Sequence, residues 1–325
     1  MRLWVGVCAM LLAVNVQAAD GKFRLDWLKT VAFAAHQTDY SGVFIYQYGS
    51  HVETSRIAHI TEADSEYEKL ESLDGPKREI IRHHGQVWCY SNHKMVQVMS
   101  QPGKGRFPAL LPDQLSNLGE NYQVQDAGVE RVAGYPAQVI LFQPKDNFRY
   151  IHKIWVHTDS GLLLKSVVLN DKNQVVEQYS FTQLKIGPEA DRSWLTSNEA
   201  MAATTTGTGK PVVAAGGQAN TVKSINSGWV VDAMPSGFKK TMEILRPMHG
   251  KHAPVIQLVF SDGLSAISIF IEPADSDEDD NDGLSSRGAV NLYHKVVNKT
   301  LFNVVGEVPP LTVMQVLDSV RYNGK

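Results

Sequence analysis

The hydrophobic positions change period along the chain. Leu25, Leu28, Ala32 and Ala35 recur at helical spacing and predict a helix over Leu25 to Gln37. Beyond Asp39 the pattern shortens to β-branched and aromatic runs. These predict strands at Val43 to Tyr48, Glu79 to His83, Val87 to Tyr90, Met95 to Met99, Val132 to Gln143, Tyr150 to His157, Leu162 to Leu169 and Val175 to Ile186. Pro144-Lys145-Asp146-Asn147, Asp159-Ser160-Gly161 and Asp171-Lys172-Asn173 punctuate the last four, as turns of an antiparallel meander do. One further helical turn is expected at Asp113 to Leu118, capped by Asp113.

Several of these strands are apolar on both sides. Phe44 and Tyr46 oppose Val43 and Ile45, and Trp155 opposes Ile154 and Val156. A sheet with one wet face would alternate with polar residues. The second face is therefore covered, either in a sandwich core or around an apolar cavity, and both readings stand.

A second set of elements follows a break. Met201 to Thr221 has no aromatic residue and a single charge, Lys210, so it buries too little to offset its ordering entropy and reads as a flexible linker. It separates a large domain, 19–200, from a small one, 222–325, both of ordinary size. In the small domain, strands are expected at Trp229 to Val231, Lys240 to Leu245, Val255 to Ser261, Ala266 to Ile271, Ala289 to Val297 and Thr300 to Gly306. A helix over Thr312 to Val320 follows Pro309-Pro310, giving a small α+β unit.

The first residues add a location. Arg2, the apolar run Leu3 to Val14 and Val16-Gln17-Ala18 have the form of a secretory signal, 1–18, too short to span a bilayer. The mature chain is expected outside the cytoplasm. Cleavage removes Cys8 and Arg2 from a chain of 31 Lys+Arg and 34 Asp+Glu, leaving Cys89 and a mildly acidic protein. That balance speaks against nucleic acid as a partner, and one cysteine cannot form an internal disulfide.

No catalytic constellation is found. Gly-x-Ser-x-Gly fails around Ser265 and Ser285, where Ile267 and Arg287 replace the second glycine. Gly207-Thr208-Gly209-Lys210 ends in Pro211 rather than the hydroxyl of a phosphate loop. Cys89 sits between Trp88 and Tyr90 and reads as a structural thiol. His249 and His252 lack an adjacent third ligand, and the acidic run Asp275 to Asp282 places Gly283 one residue late for a calcium loop. No cofactor and no metal are expected, and the chain reads as a binding protein.

Specific motifs resemble one family. YSGVFIYQ at 40–47, LESLDGPKREIIR at 70–82, CY at 89–90, FPALLP at 107–112, RVAGYPAQVI at 131–140, PKDNFRY at 144–150 and DSGLLLKS at 159–166 are similar to the large domain of the sigma-E regulators RseB and MucB. MPSGF at 234–238, VFSDGLSAISIFIEP at 259–273 and GEVPPLTV at 306–313 are similar to their small domain. The acidic run does not match the pattern. The resemblance implies an α+β, β-rich fold: a curved antiparallel sheet of LolA or LolB type, a partial barrel with plugging helices, plus a small α+β domain. It also implies a function. Family members bind the periplasmic part of a membrane-spanning anti-sigma factor, RseA or MucA, protect it from regulated proteolysis, and leave it when lipopolysaccharide or lipid fragments bind. Phe44, Tyr46, Trp88, Tyr90 and Trp155 are then the candidates to line a lipid cavity. The sequence does not say which face of each strand points inward. The small domain and the domain interface are expected to hold the protein partner. A lipoprotein carrier is the alternative, and oligomeric state is left open.

Overall fold

The computed structural model describes residues 25–62, 65–83, 86–91, 94–98, 106–111, 118–195, 212–213, 223–248, 253–274 and 282–324. The expected signal sequence, the helical turn Asp113 to Leu118 except for Leu118, and the linker, apart from Val212–Val213, lie outside these residues. So do His249, His252 and Asp275 to Asn281.

Helix α1 spans Leu25–Gln37, with Leu28, Val31, Ala32 and Ala35 buried on one face, as the spacing predicts. After it come β1 (Tyr40–Tyr48), β2 (His51–Glu62), β3 (Ser65–Ser72), β4 (Arg78–His83), β5 (Gln86–Ser91) and β6 (Lys94–Val98). A short helix, α2 (Leu118–Asn121), leads into β7 (Tyr122–Val132), β8 (Tyr135–Pro144), β9 (Ile151–His157), β10 (Leu163–Leu169) and β11 (Val175–Ile186). With β12 (Val212–Val213) these strands form one sheet of 12, in the order β12-β6-β5-β4-β3-β2-β1-β11-β10-β9-β8-β7. All pairings are antiparallel except β12 with β6. The sheet does not close, because its two outer strands, β12 and β7, are not neighbours. The β7 edge is interrupted by a bulge between Asp126 and Val129 and carries exposed charges, which blunts it against further pairing.

The small domain is built from β13 (Lys223–Ser224), β14 (Trp229–Val231), β15 (Lys239–Arg246), β16 (Val255–Ser261), β17 (Ala266–Pro273), β18 (Gly283–Arg287), β19 (Val290–Val297), β20 (Thr300–Gly306), helix α3 (Pro310–Asp318) and β21 (Val320–Tyr322). Seven of these strands form a sheet ordered β13-β15-β16-β17-β20-β19-β18, while β14 pairs with β21. The buried side of α3, Val313, Val316 and Leu317, packs with Leu258, Ile267, Ile269 and Val304. Each sheet has its own apolar cluster. No helix among the described residues is long and apolar enough to cross a membrane.

Two departures from the sequence expectation have plain causes. The strand expected over Val132 to Gln143 is β8 from Tyr135 onward; it starts at the turn of a hairpin, Ala133 at φ +50° and Gly134 at φ +90°, whose first arm, β7, was not expected. Only the glycine signals that conformation, since alanine rarely takes positive φ. Strands β2, β3 and β18 were not expected at all. Their residues are largely polar, and they join the sheets as hairpins with their sequence neighbours, β2 with β1 and β3, β3 with β4, and β18 with β19.

Candidate functional site

Cross-strand partners share a face of a sheet, so the registers sort the aromatic residues into two sets. Phe44 is opposite Phe181, Tyr46 is opposite both Tyr179 and Glu53, and Tyr48 is opposite Glu177. Tyr179 pairs with Ser166 and Ser166 with Ile154. Trp155, next to Ile154, therefore points the other way. Towards the other edge, Ile57, Leu70, Ile80 and Cys89 are successive partners on the face of Phe44, so Trp88 and Tyr90 belong to the opposite face. The five cavity candidates thus divide: Phe44 and Tyr46 on one face, Trp88, Tyr90 and Trp155 on the other.

The Phe44 face is covered and is the inner one. Phe107 lies over it, its ring centroid 5.1 Å from Phe44, 4.9 Å from Phe181 and 5.5 Å from Tyr179, nearly parallel to the last. Phe107 is buried, and Leu110 and Leu111 pack on the same cluster. This segment is held at its start by Arg106, which bonds Glu68 at 3.0 Å. Glu68 is itself buried on the inner face and also bonds Arg82. Two guanidinium groups thus satisfy one buried carboxylate, the condition for burying it at all. Beside them His59 is fully buried, stacked on Tyr40 at 4.9 Å and bonded through its two ring nitrogens to the Thr38 carbonyl and Glu66.

Trp155 on the outer face is differently served. Its indole N–H donates to Glu130 at 2.8 Å, and the ammonium groups of Lys153 and Lys165 lie 4.7 and 4.6 Å from its ring centroid. It is buried under lysine stems. Trp88 and Tyr90 are half-buried, with Ile81 and Glu79 as their cross-strand partners.

One end of the inner face meets the small domain. Arg149, in the loop before β9, has no exposed side-chain surface and donates from Nε to Asp262 at 2.5 Å; Asp262, in the β16–β17 turn, is equally buried. Arg149 also bonds Asp146 and the Ser236 carbonyl, and its guanidinium lies 4.9 Å from the Phe238 ring centroid. Tyr122 donates to the same Asp262 oxygen at 3.0 Å. Asp262's other oxygen accepts the backbone N–H groups of Leu264 and Ser265, which closes its own turn. Further along, Asn291 donates to Tyr150 at 3.0 Å and to the Val308 carbonyl, and Thr312 donates to the Phe148 carbonyl. His152 sits beside Tyr122; burial holds its imidazole down to about 4, against a smaller opposing pull from Asp262. Its Nε2 and the Asn121 amide nitrogen are buried without a hydrogen-bond partner among the described residues.

Sequence reading did not single out Phe107, Arg149, Glu177, Asp262 or Gly288. Arg149 carried one usable signal, a charge enclosed between Phe148 and Tyr150. Cys89 lies half-buried on the inner face, in backbone register with Ile80 and Val96. Among the described residues no group of His, Cys, Asp and Glu could hold a metal ion.

Comparison with known proteins adds the following. Residues 24–199 match the model of the MucB/RseB N-terminal domain and residues 223–321 that of the MucB/RseB C-terminal domain. The chain is 32% identical over 319 residues to the sigma factor AlgU regulatory protein MucB of Pseudomonas aeruginosa, covering 96% of this chain and 94% of that one. It is 22% identical over 326 residues to the sigma-E factor regulatory protein RseB of Escherichia coli K12, covering 97% and 95%. A crystal structure of MucB in complex with MucA(peri) superposes with a TM-score of 0.69 at 29% identity, over 93% of this chain and 99% of that one. A crystal structure of MucB superposes at 0.61, with 28% identity over 92% and 97%.

Proposed function

Because the chain belongs to the MucB/RseB family, we propose that it is a periplasmic regulator of an envelope-stress sigma factor that works by binding the periplasmic part of a membrane-spanning anti-sigma factor. Bound, it shields that segment from the protease cut that would release the sigma factor. The observation that carries this reading is the likeness, over nearly the whole length of both chains, to a MucB solved with MucA(peri). The likeness extends through both sheets rather than one, so it supports a two-domain binding protein over a carrier that needs only a cavity.

The release signal in this reading is a lipid or lipopolysaccharide fragment whose acyl chain enters the inner face around Phe44, Tyr46, Tyr179 and Phe181, where Phe107 now lies. Each buried methylene contributes about 0.8 kcal/mol, so one long chain suffices for binding. A lipid that prefers the free regulator weakens the anti-sigma complex by the ratio of its two affinities.

The test is calorimetric titration of the mature chain with the periplasmic segment of its anti-sigma factor, with and without lipopolysaccharide. Saturable binding that weakens with lipopolysaccharide is expected. Absence of binding to the segment would remove the regulatory reading, and binding indifferent to lipopolysaccharide would remove the release step alone.

A further inference from the structure

The β18–β19 turn of the small domain is docked across the end of the inner face. One carboxylate oxygen holds it. Glu177 Oε2 accepts from Tyr46 OH at 3.1 Å and from the Ala289 backbone N–H at 3.0 Å. Arg287 bonds Glu53 at 3.1 Å, with its guanidinium 5.4 Å from the Tyr48 ring centroid. Glu53, Tyr46, Tyr48 and Glu177 all belong to the inner face by register. Ala289 is 2% exposed and packs with Tyr150 and Val168. Between them Gly288 has φ +58°. A Cβ there would stand 2.8 Å from Tyr46 OH and closer still to the Glu177 carboxylate. The conformation and the close approach both require glycine.

We propose that the Arg287–Ala289 turn is a gate over the inner face, held shut by Glu177 and Tyr46, and that a ligand with a long acyl chain gains the inner face as this turn lifts. The proposal rests on the inner-face reading of the release signal given above. Its physical basis is a continuous series of rings. Phe107 lies parallel to Tyr179 at 5.5 Å, Tyr179 stacks on Tyr46 at 4.4 Å, and Tyr46 meets Tyr48 at 5.4 Å. A chain that takes the place of Phe107 must be accommodated by Tyr179 and Tyr46. Tyr46 cannot shift without giving up its bond to Glu177, and the same oxygen fixes Ala289. Hydrogen bonds to an ionised acceptor are stronger than neutral ones, so the two states are discrete. Burial, followed by the charge of Glu177, pushes the Tyr46 phenol above its usual range, which keeps it a donor. Occupancy of the inner face and docking of the turn therefore compete, and ligand entry changes the seating of the small domain. Glu177 and Tyr46 are positioning residues in this device.

The probe is cis-parinaric acid, a fluorescent long-chain fatty acid, mixed rapidly with the mature chain. Tyr46→Phe removes one bond of the latch, and Gly288→Ala pushes the turn off its seat. Both are expected to take up the probe about tenfold faster than wild type, the rate equivalent of one hydrogen bond to a carboxylate. Circular dichroism checks that each is folded, and Tyr46→Phe, the smaller change, carries the test if Gly288→Ala does not fold. Trp155→Phe, on the outer face, should leave the rate unchanged. If wild type binds the probe and the folded variants take it up no faster, the gate is wrong while the inner-face site stands. Acceleration by Gly288→Ala alone would overturn the role of Tyr46 and Glu177. If neither wild type nor Phe107→Ala binds the probe, the inner-face reading fails and the gate with it.

Discussion

Arg149 and Asp262 form an ion pair across the two domains with neither side chain exposed. A buried charge that loses its partner is far more costly than a pair removed together. Asp262→Asn keeps an oxygen for the Leu264 and Ser265 N–H groups but removes the fully buried one of the two carboxylates that hold the guanidinium, leaving Asp146. Urea unfolding should show a loss of about 3 kcal/mol or more. The double variant Arg149→Met, Asp262→Asn should recover much of it. A single-variant loss under about 1 kcal/mol would mean that apolar contacts, not this pair, hold the domains together.

His152 makes the junction sensitive to acid. Its folded-state value is about 4, lowered by burial from an ordinary 6.5. Between these limits the unfolded chain binds a proton that the native chain lacks, so stability falls as pH drops from about 6.5 to about 4 and is flat above that window. The loss accumulates to about 3 kcal/mol. The charged group that acts on it is Asp262, and Tyr122 lies edge-on to the ring. Urea midpoints at pH 7 and pH 5 should differ in wild type and much less in His152→Phe; an equal difference in both would assign the acid response elsewhere. Glu66 acts in a lower window. Burial alone would raise it, but hydrogen bonds from His36 and His59 outweigh that and take it to about 2. Its contribution is complete above about 4.5 and lost only as pH falls towards 2.

Phe107 tests whether the inner face is a site or only a core. Phe107→Ala should cost about 3–5 kcal/mol by leaving a hole against Phe44, Tyr179 and Phe181. It should also raise equilibrium affinity for a long-chain fatty acid, measured by fluorescence titration, because the ring no longer competes. Destabilisation without a gain in affinity would indicate a filled core.

Cys89 is expected to be structural. Its neighbours across the ladder are Ile80 and Val96. Cys89→Ala should leave binding of the anti-sigma segment within about twofold, with about 1 kcal/mol lost from packing. Loss of binding in a folded variant, read by the same titration, would give the thiol a direct role.

Local pattern alone determined the elements whose burial is itself local. The 3.6-residue spacing of Leu25, Leu28, Ala32 and Ala35 specifies α1, and the apolar runs specify β1, β9, β10 and β11, because apolar stripes and runs meet apolar neighbours whatever the tertiary arrangement. Strands β2 and β3 were illegible because their burial is conditional: His59 and Glu68 are buried only through Glu66, Arg82, Arg106 and the Thr38 carbonyl, partners that no window of sequence brings together. The period of two established that Phe44 and Tyr46 face one way and their neighbours the other. It could not say which way was inward, since both sets are apolar. The register and the seat of Phe107 decided that, and placed Trp155 and Trp88 outside. The junction belongs wholly to the tertiary structure. Arg149 and Asp262 stand 113 residues apart, and each would be an ordinary loop charge but for the other. What made them a buried pair is the docking of one sheet on the end of another, a free-energy balance of desolvation against pairing that exists only once both domains have folded.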